Sequence, residues 1–257
     1  MLVDSHCHLD RLDLFGGNVD LDEVLGSARS RGVEAFLAIG VDITSSANLM
    51  GLAASHPDIF VSVGVHPLQE EFKPIPSVAE LVALASHEKV VAIGETGLDY
   101  HYSEDTWQWQ QESFINHLEA AKAIGKPVVV HTRDACDDTL RLIGEHGCQA
   151  RGGVLHCFTE SWDMAKSALD MNYLISFSGI ITFRNASELR EVVKKTPLDS
   201  MLVETDSPWL APVPYRGKPN VPGYVVEVAS QVAEIKGISL AEVAEVTTAN
   251  FRRLFAL

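Results

Sequence analysis

The chain has 257 residues, 46% hydrophobic and 21% charged, an ordinary globular composition with enough length to bury a large core without disulfide or metal staples. Its net charge of −15, from 35 acidic against 20 basic side chains, excludes a protein that coats nucleic acid through a broad basic face. It does not exclude an enzyme that cuts phosphodiesters in a cleft, where bound cations reverse the local field.

Eight short, β-branched apolar runs punctuate the chain: Met1–Ser5, Ala35–Gly40, Phe60–Val65, Val90–Gly94, Pro127–Val130, Gly153–Leu155, Tyr173–Phe177 and Met201–Val203. Near-continuous apolar strands suit a parallel sheet covered on its outer face. Amphipathic segments lie between them. Ser77-Val-Ala-Glu80 is a capping box that opens a helix ahead of the fourth strand. Residues from about 105 to 124 place Phe114, Leu118 and Ala121 on one face, with Gly125 as the stop. Residues 187–195 do the same with Leu189, Val192 and Val193. After the eighth strand, Ala211–Gly223 holds four prolines and two glycines and reads as a long loop before a helix at Tyr224–Lys236. A second capping box, Ser239-Leu-Ala-Glu242, opens the last helix. Eight β→α alternations, with no Gly/Ser linker and no short repeat, predict one α/β domain over residues 1–257, a (β/α)8 TIM barrel.

The four cysteines, Cys7, Cys136, Cys148 and Cys157, show no CxxC spacing, and the chain opens without a signal-like segment. No apolar run approaches the roughly 20 residues that span a bilayer. A reduced, cytoplasmic setting away from membranes is expected; the oligomeric state is left open.

The polar residues at the strand ends carry the chemistry. His6 and His8 end the first strand, two apart and so on one face. Glu95 ends the fourth, His131 the fifth and His156 the sixth. Glu204 and Asp206 end the eighth, again two apart. All lie at the C-terminal ends of strands, the face on which TIM barrels build active sites. Converging histidines and carboxylates are costly to desolvate without cations. The nitrogen and oxygen donors suit Zn²⁺, Mn²⁺, Ni²⁺ or Fe²⁺, and Mg²⁺ less well. Two divalent cations are expected, with His6, His8 and Asp206 on one, His131 and His156 on the other, and Glu95 bridging. Bound cations acidify water to a nucleophile near neutral pH, and Asp206 is the candidate general base. Glu204 is a candidate partner orienting a ligand. His66, Arg133, Arg216 and Asn220 are candidate contacts to substrate phosphate oxygens.

Other residues are read more plainly. His56, His87, His117 and His146 fall on predicted helices or their ends and are assigned to surface or packing. His101 follows the fourth strand and is close enough to reach the pocket. Cys7 and Cys157 flank ligands, but alternation turns them toward the outer layer. Trp209 is the tryptophan nearest the site and a candidate to stack on a base.

Val3-Asp-Ser-His-Cys-His-Leu-Asp10, Gly64-Val-His-Pro67, Gly94-Glu-Thr-Gly-Leu-Asp99, His131-Thr-Arg133, His156-Cys-Phe158 and Leu202-Val-Glu-Thr-Asp-Ser-Pro208 together closely resemble the TatD family of metal-dependent hydrolases, in order and over essentially the whole chain. That family belongs to the amidohydrolase-like TIM barrels, is described as deoxyribonuclease-like, and has members that degrade DNA from 3′ ends. The resemblance implies metal binding by His6, His8, Glu95, His131, His156 and Asp206, and a phosphodiester substrate such as single-stranded DNA. Two other functions fit the same residues. One is cleavage of an amide, ester or lactone, although many such enzymes bridge their metals with a carboxylated lysine and no lysine ends a predicted strand here. The other is a barrel that binds metal without catalysis.

Overall fold

A computed structural model describes residues 1–13, 20–69 and 74–257. The strands are β1 (Leu2–Cys7), β2 (Val33–Ile39), β3 (Ile59–Val63), β4 (Val90–Asp99), β5 (Val128–Arg133), β6 (Gly153–Leu155), β7 (Tyr173–Phe177) and β8 (Met201–Val203). They pair in parallel in sequence order. A bridge between Cys7 and Ser207 brings the two edges together, and there the His8 N–H donates to the Ser207 carbonyl at 2.8 Å. The result is a TIM barrel.

The helices are α1 (Leu21–Ser30), α2 (Ile43–Ala54), α3 (Val78–Ala85), α4 (Trp107–Ile124), α5 (Cys136–His146), α6 (Trp162–Asp170), α7 (Ser187–Lys195), α8 (Val225–Lys236) and α9 (Leu240–Phe255). The Ser77 capping box forms in both directions. Gly125 ends α4 in the left-handed conformation, and Phe114 and Leu118 on that helix are fully buried. Among the described residues no helix is long and apolar enough to cross a membrane.

Apolar side chains form two layers. The larger lies between strands and helices. The smaller fills the barrel with Val3, Leu37, Val91, Val129, Val154 and Leu202, and Phe251 and Phe255 of α9 join it. Phe251 packs against Phe60 at the start of β3. The N-terminal end of the barrel is thereby floored, and the opposite end is left for the site.

Three strands run further toward the site than the sequence expectation. β1 continues through His6 to Cys7, and β5 through His131 to Arg133. β4 does not stop at Gly94 but runs to Asp99, pairing Gly97 with His131 and Asp99 with Arg133. Glycine permits this extension. Gly94 and Gly97 sit at φ of 131° and 134°, and a Cβ at either would collide with the carbonyl oxygen of Val129 or His131 on β5. The Gly94–Glu95 peptide is cis. Conversely, β8 ends at Val203, so Glu204 and Asp206 lie beyond it. Asp206 has a φ of 57°, and its N–H donates to the His6 carbonyl at 3.0 Å. The two acids therefore do not share a strand face.

Candidate metal centre

β1 delivers two imidazoles to one point. The Nε2 atoms of His6 and His8 stand 3.2 Å apart. Glu95 Oε2 lies 3.5 and 3.9 Å from them, and Asp206 Oδ1 lies 3.6 and 3.4 Å from them. Bonds of 2.0–2.2 Å to a tetrahedral ion imply ligand separations of roughly 3.3–3.6 Å. Two facing ring nitrogens and two carboxylate oxygens are a cluster of lone pairs with too few protons to link them. The Nδ1 atoms of both histidines are also buried without a partner. A divalent cation is the group that satisfies all four inward atoms together.

Glu95 turns its other oxygen toward a second group. Oε1 lies 2.7 Å from His156 Nε2 and 3.4 Å from His131 Nδ1. Those two nitrogens are 3.4 Å apart. Neighbouring carboxylates set both tautomers. Asp99 Oδ2 stands 3.0 Å from His131 Nε2, and Glu204 Oε1 stands 3.3 Å from His156 Nδ1. An ionised carboxylate only accepts, so these outer nitrogens hold the protons and the inner ones offer lone pairs. Glu204 is itself held by the Cys157 N–H at 2.7 Å and the Ser176 hydroxyl at 2.5 Å.

His66 approaches the same oxygen, with Nε2 at 3.4 Å from Glu95 Oε1. Its Nδ1, however, accepts the Leu68 N–H at 3.1 Å. In the neutral ring Nε2 must then carry the proton, which makes His66 a donor into the site rather than a ligand.

The charges are strongly coupled. Burial works against the Glu95 carboxylate, but His156 and His66 outweigh it and hold the group well below the usual carboxylate range. Burial likewise opposes charge on His156, yet Glu95 and Glu204 raise it well above an ordinary histidine. Asp99 and Glu95 also raise His131 against the cost of burial. His6 moves down, through burial and then the neighbouring His156. Protons and cations thus compete for these lone pairs, as at any such centre.

His8, Glu95, His131, His156 and Asp206 line a cavity of about 540 Å³, with His6 buried behind them. Arg133 lines it too, with its guanidinium over the Tyr102 ring at 5.8 Å. Trp209 is on the wall, edge-to-face with His8 at 5.0 Å between ring centroids. Cys157 also lines the cavity, in the left-handed conformation with its sulfur 3.1 Å from the Ser178 hydroxyl. It follows β6 rather than continuing it, so strand alternation does not turn it away. Cys7 does face the outer layer.

Three sequence candidates stand elsewhere. Asn220 is fully buried, and its amide donates to the carbonyls of Thr205 at 2.8 Å and Trp209 at 2.6 Å. It has no free group to offer a substrate and instead ties the loop after β8 in place. Arg216 lies flat on Phe183, 3.6 Å from the ring centroid, outside the cavity lining. His101 pairs with Asp134 at 2.8 Å, also outside the lining. Two residues escaped the sequence reading. Asp99 closes the Gly94–Asp99 motif, and its place in that motif was the available signal. Arg11 lines the cavity one turn past His8.

The model of the TatD related DNase family matches residues 3–256. The uncharacterized metal-dependent hydrolase YcfH of Escherichia coli K12 is 50% identical over 254 residues, which covers 99% of this chain and 95% of that protein. Its counterpart YabD of Bacillus subtilis is 40% identical over 257 residues and covers all of both chains. Among solved structures, YJJV, a TatD homologue from Escherichia coli K12, superposes with a TM-score of 0.92 at 29% identity, over 100% of this chain and 98% of that one. An organophosphorus hydrolase from Deinococcus radiodurans, at 14% identity and a TM-score of 0.65, shares the fold. With its family motifs assembled around one donor cluster and its likeness extending from end to end, this chain belongs to the TatD family and is a metal-dependent hydrolase.

Proposed function

We propose that the protein is a two-cation phosphodiesterase that trims single-stranded DNA from its 3′ end. The observation that carries this reading is Glu95, whose two oxygens face two different donor groups. His6, His8 and Asp206 would hold one ion, His131 and His156 the other, and Glu95 both. When bound, such ions supply Lewis acidity, generating a nucleophile from water and neutralising charge on a phosphoryl group.

The chain's own residues do the rest. Hydrolysis adds a water oxygen to phosphorus, breaks the bond to the leaving oxygen, and returns a proton to that oxygen. Asp206 takes the water proton: its side chain is 14% accessible against 3% for Glu95, so it is the carboxylate of the pair that water reaches. His66, protonated at Nε2, donates to a substrate oxygen. Arg133, which forms no ion pair among the described residues, offers a fork of donors to phosphate at the cavity edge. A cavity of about 540 Å³ is of small-ligand size. It admits a strand end and excludes a duplex interior. DNA as the substrate is supported by the description of the matching family.

Metal-stripped enzyme, supplied in turn with Mg²⁺, Mn²⁺ or Zn²⁺, is given a 5′-labelled single-stranded oligonucleotide and a closed circular duplex. The expected result is a metal-dependent descending ladder from the oligonucleotide, an intact circle, and no ladder with His131→Ala. Intact DNA alongside metal-dependent hydrolysis of an ester or amide would overturn the proposal in favour of carbonyl chemistry.

A further inference from the structure

Arg11 brings a cation to the cavity, and the neighbouring Asp10 is the acid that feels its charge. Arg11 ends the 3₁₀ turn Leu9–Arg11, its N–H donating to the His8 carbonyl at 3.0 Å, and its side chain lines the cavity. Its Nε is shut off from water and has no hydrogen-bond partner. Among the described residues its guanidinium forms no ion pair, although the chain has 35 acidic side chains. A buried donor left without a partner is costly, and Nε is such a donor on a residue of the cavity wall. Arg29, Arg31, Arg141 and Arg252 pair with carboxylates, whereas the two arginines that line the cavity, Arg11 and Arg133, form no ion pair among the described residues.

Its place in the barrel says which anion. Arg11 stands on the β1 side, beyond His8, with Trp209 packed against that same histidine. Arg133 is the last residue of β5, which in a ring of eight ordered strands faces β1 across the mouth. The donor groups lie between them, so neither arginine competes for the atom under attack. We propose that Arg11 binds the phosphate next to the scissile one, with Trp209 beside it placed to stack on the intervening base. The substrate would then be a strand lying across the mouth from β1 to β5, and not an isolated phosphodiester. This rests on the phosphodiesterase reading above but assigns it a recognition element of this chain's own.

The test uses metal-loaded enzyme and two fluorescent thymidylates with phosphorothioate linkages that resist cleavage, a dinucleotide with one phosphate and a trinucleotide with two. Binding is followed by anisotropy over a range of KCl. Wild type should bind the trinucleotide at least about tenfold tighter than the dinucleotide. Arg11→Gln should lose that gain and flatten the slope of log affinity against log salt by about 0.7, the value for one phosphate on a single strand. Arg11→Lys, which keeps the charge and not the fork, should retain part of both. A gain that survives Arg11→Gln, or wild type that binds neither thymidylate, overturns the assignment. The two proposals fail separately. Tight Arg11-dependent binding without cleavage of the ordinary phosphodiester removes the phosphodiesterase reading and leaves Arg11. Cleavage of the corresponding all-phosphate trinucleotide at unchanged KM in Arg11→Gln removes Arg11 and leaves the reading.

Discussion

A neutral imidazole has one lone pair, and the partner of its other nitrogen decides which atom carries it. At His131 that partner is Asp99, whose second oxygen is occupied by the N–H groups of His101 at 3.0 Å and Tyr102 at 2.9 Å. Asp99 can therefore point only one oxygen at the ring. Asp99→Asn removes the anion that keeps the proton on Nε2 and lets the other tautomer compete. The expected loss in metal affinity is about 10–100-fold, read by competition with a chromophoric chelator; undiminished affinity would strip Asp99 of its orienting role. Residues of this kind were the least legible in the sequence. The ligand candidates announce themselves as histidines and acids ending apolar runs. Asp99 does the same work one step removed, and only the unforeseen length of β4 brings it beside His131. Asn220 failed in the opposite direction: a polar residue in a Pro-rich loop looks available, and its burial follows from how that loop folds back on Thr205 and Trp209.

At the scale of elements, α4 is the buttress of the second donor group. Gln110 clamps both backbone groups of Asp99, accepting its N–H at 2.7 Å and donating to its carbonyl at 3.0 Å. Seven residues on, along the same face, His117 Nε2 accepts the Val65 N–H at 2.9 Å, while Nδ1 donates to the Ser113 carbonyl at 2.7 Å. That bond fixes the segment carrying His66. His117 must be neutral to accept, and burial lowers its pKa to about 4. Above pH 6.5 the ring is neutral in folded and unfolded chains alike and contributes no pH dependence. Between pH 6.5 and 4 only the unfolded chain takes up the proton, so stability falls with falling pH, by up to about 3 kcal/mol from this group. His117→Gln lacks that loss. The stability gap between wild type and variant, from urea midpoints of metal-free protein, should narrow or invert from pH 7 to pH 4; a constant gap would contradict the assignment. The helix itself was readable from Phe114, Leu118 and Ala121. The polar residues on its inner face were not, because period alone cannot tell a hydrogen-bonding contact from a solvated one.

For the whole molecule, eight apolar runs at regular intervals were enough to give the barrel, since each parallel strand must be covered on both faces. What the runs hid was their own ends: glycines at 94 and 97 and the polar His6-Cys7 step look like strand breaks and are not. The donor cluster joins four of these strands and the turn after β8, so ions bound there favour the folded ring over the open chain. At about 100 times the dissociation constant, such binding adds about 2.7 kcal/mol. For a chain of this size that corresponds to a Tm lower by roughly 5–10 °C after stripping. Calorimetry with chelator, and again after Mn²⁺ is restored, measures it. A Tm indifferent to metal, with removal verified by elemental analysis, would mean that the donors do not bind ions tightly in the native state.

The first donor group takes its atoms from His6 and His8 near the start of the chain and from Asp206 near its end. During synthesis the two histidines emerge long before their acidic partner exists. A nascent chain therefore carries only a fragment of the coordination shell and captures metal weakly. The first donor group is complete only when the turn after β8 arrives and the Cys7–Ser207 seam closes. A product truncated before β8 lacks both Asp206 and the seam, so its first donor group is never complete.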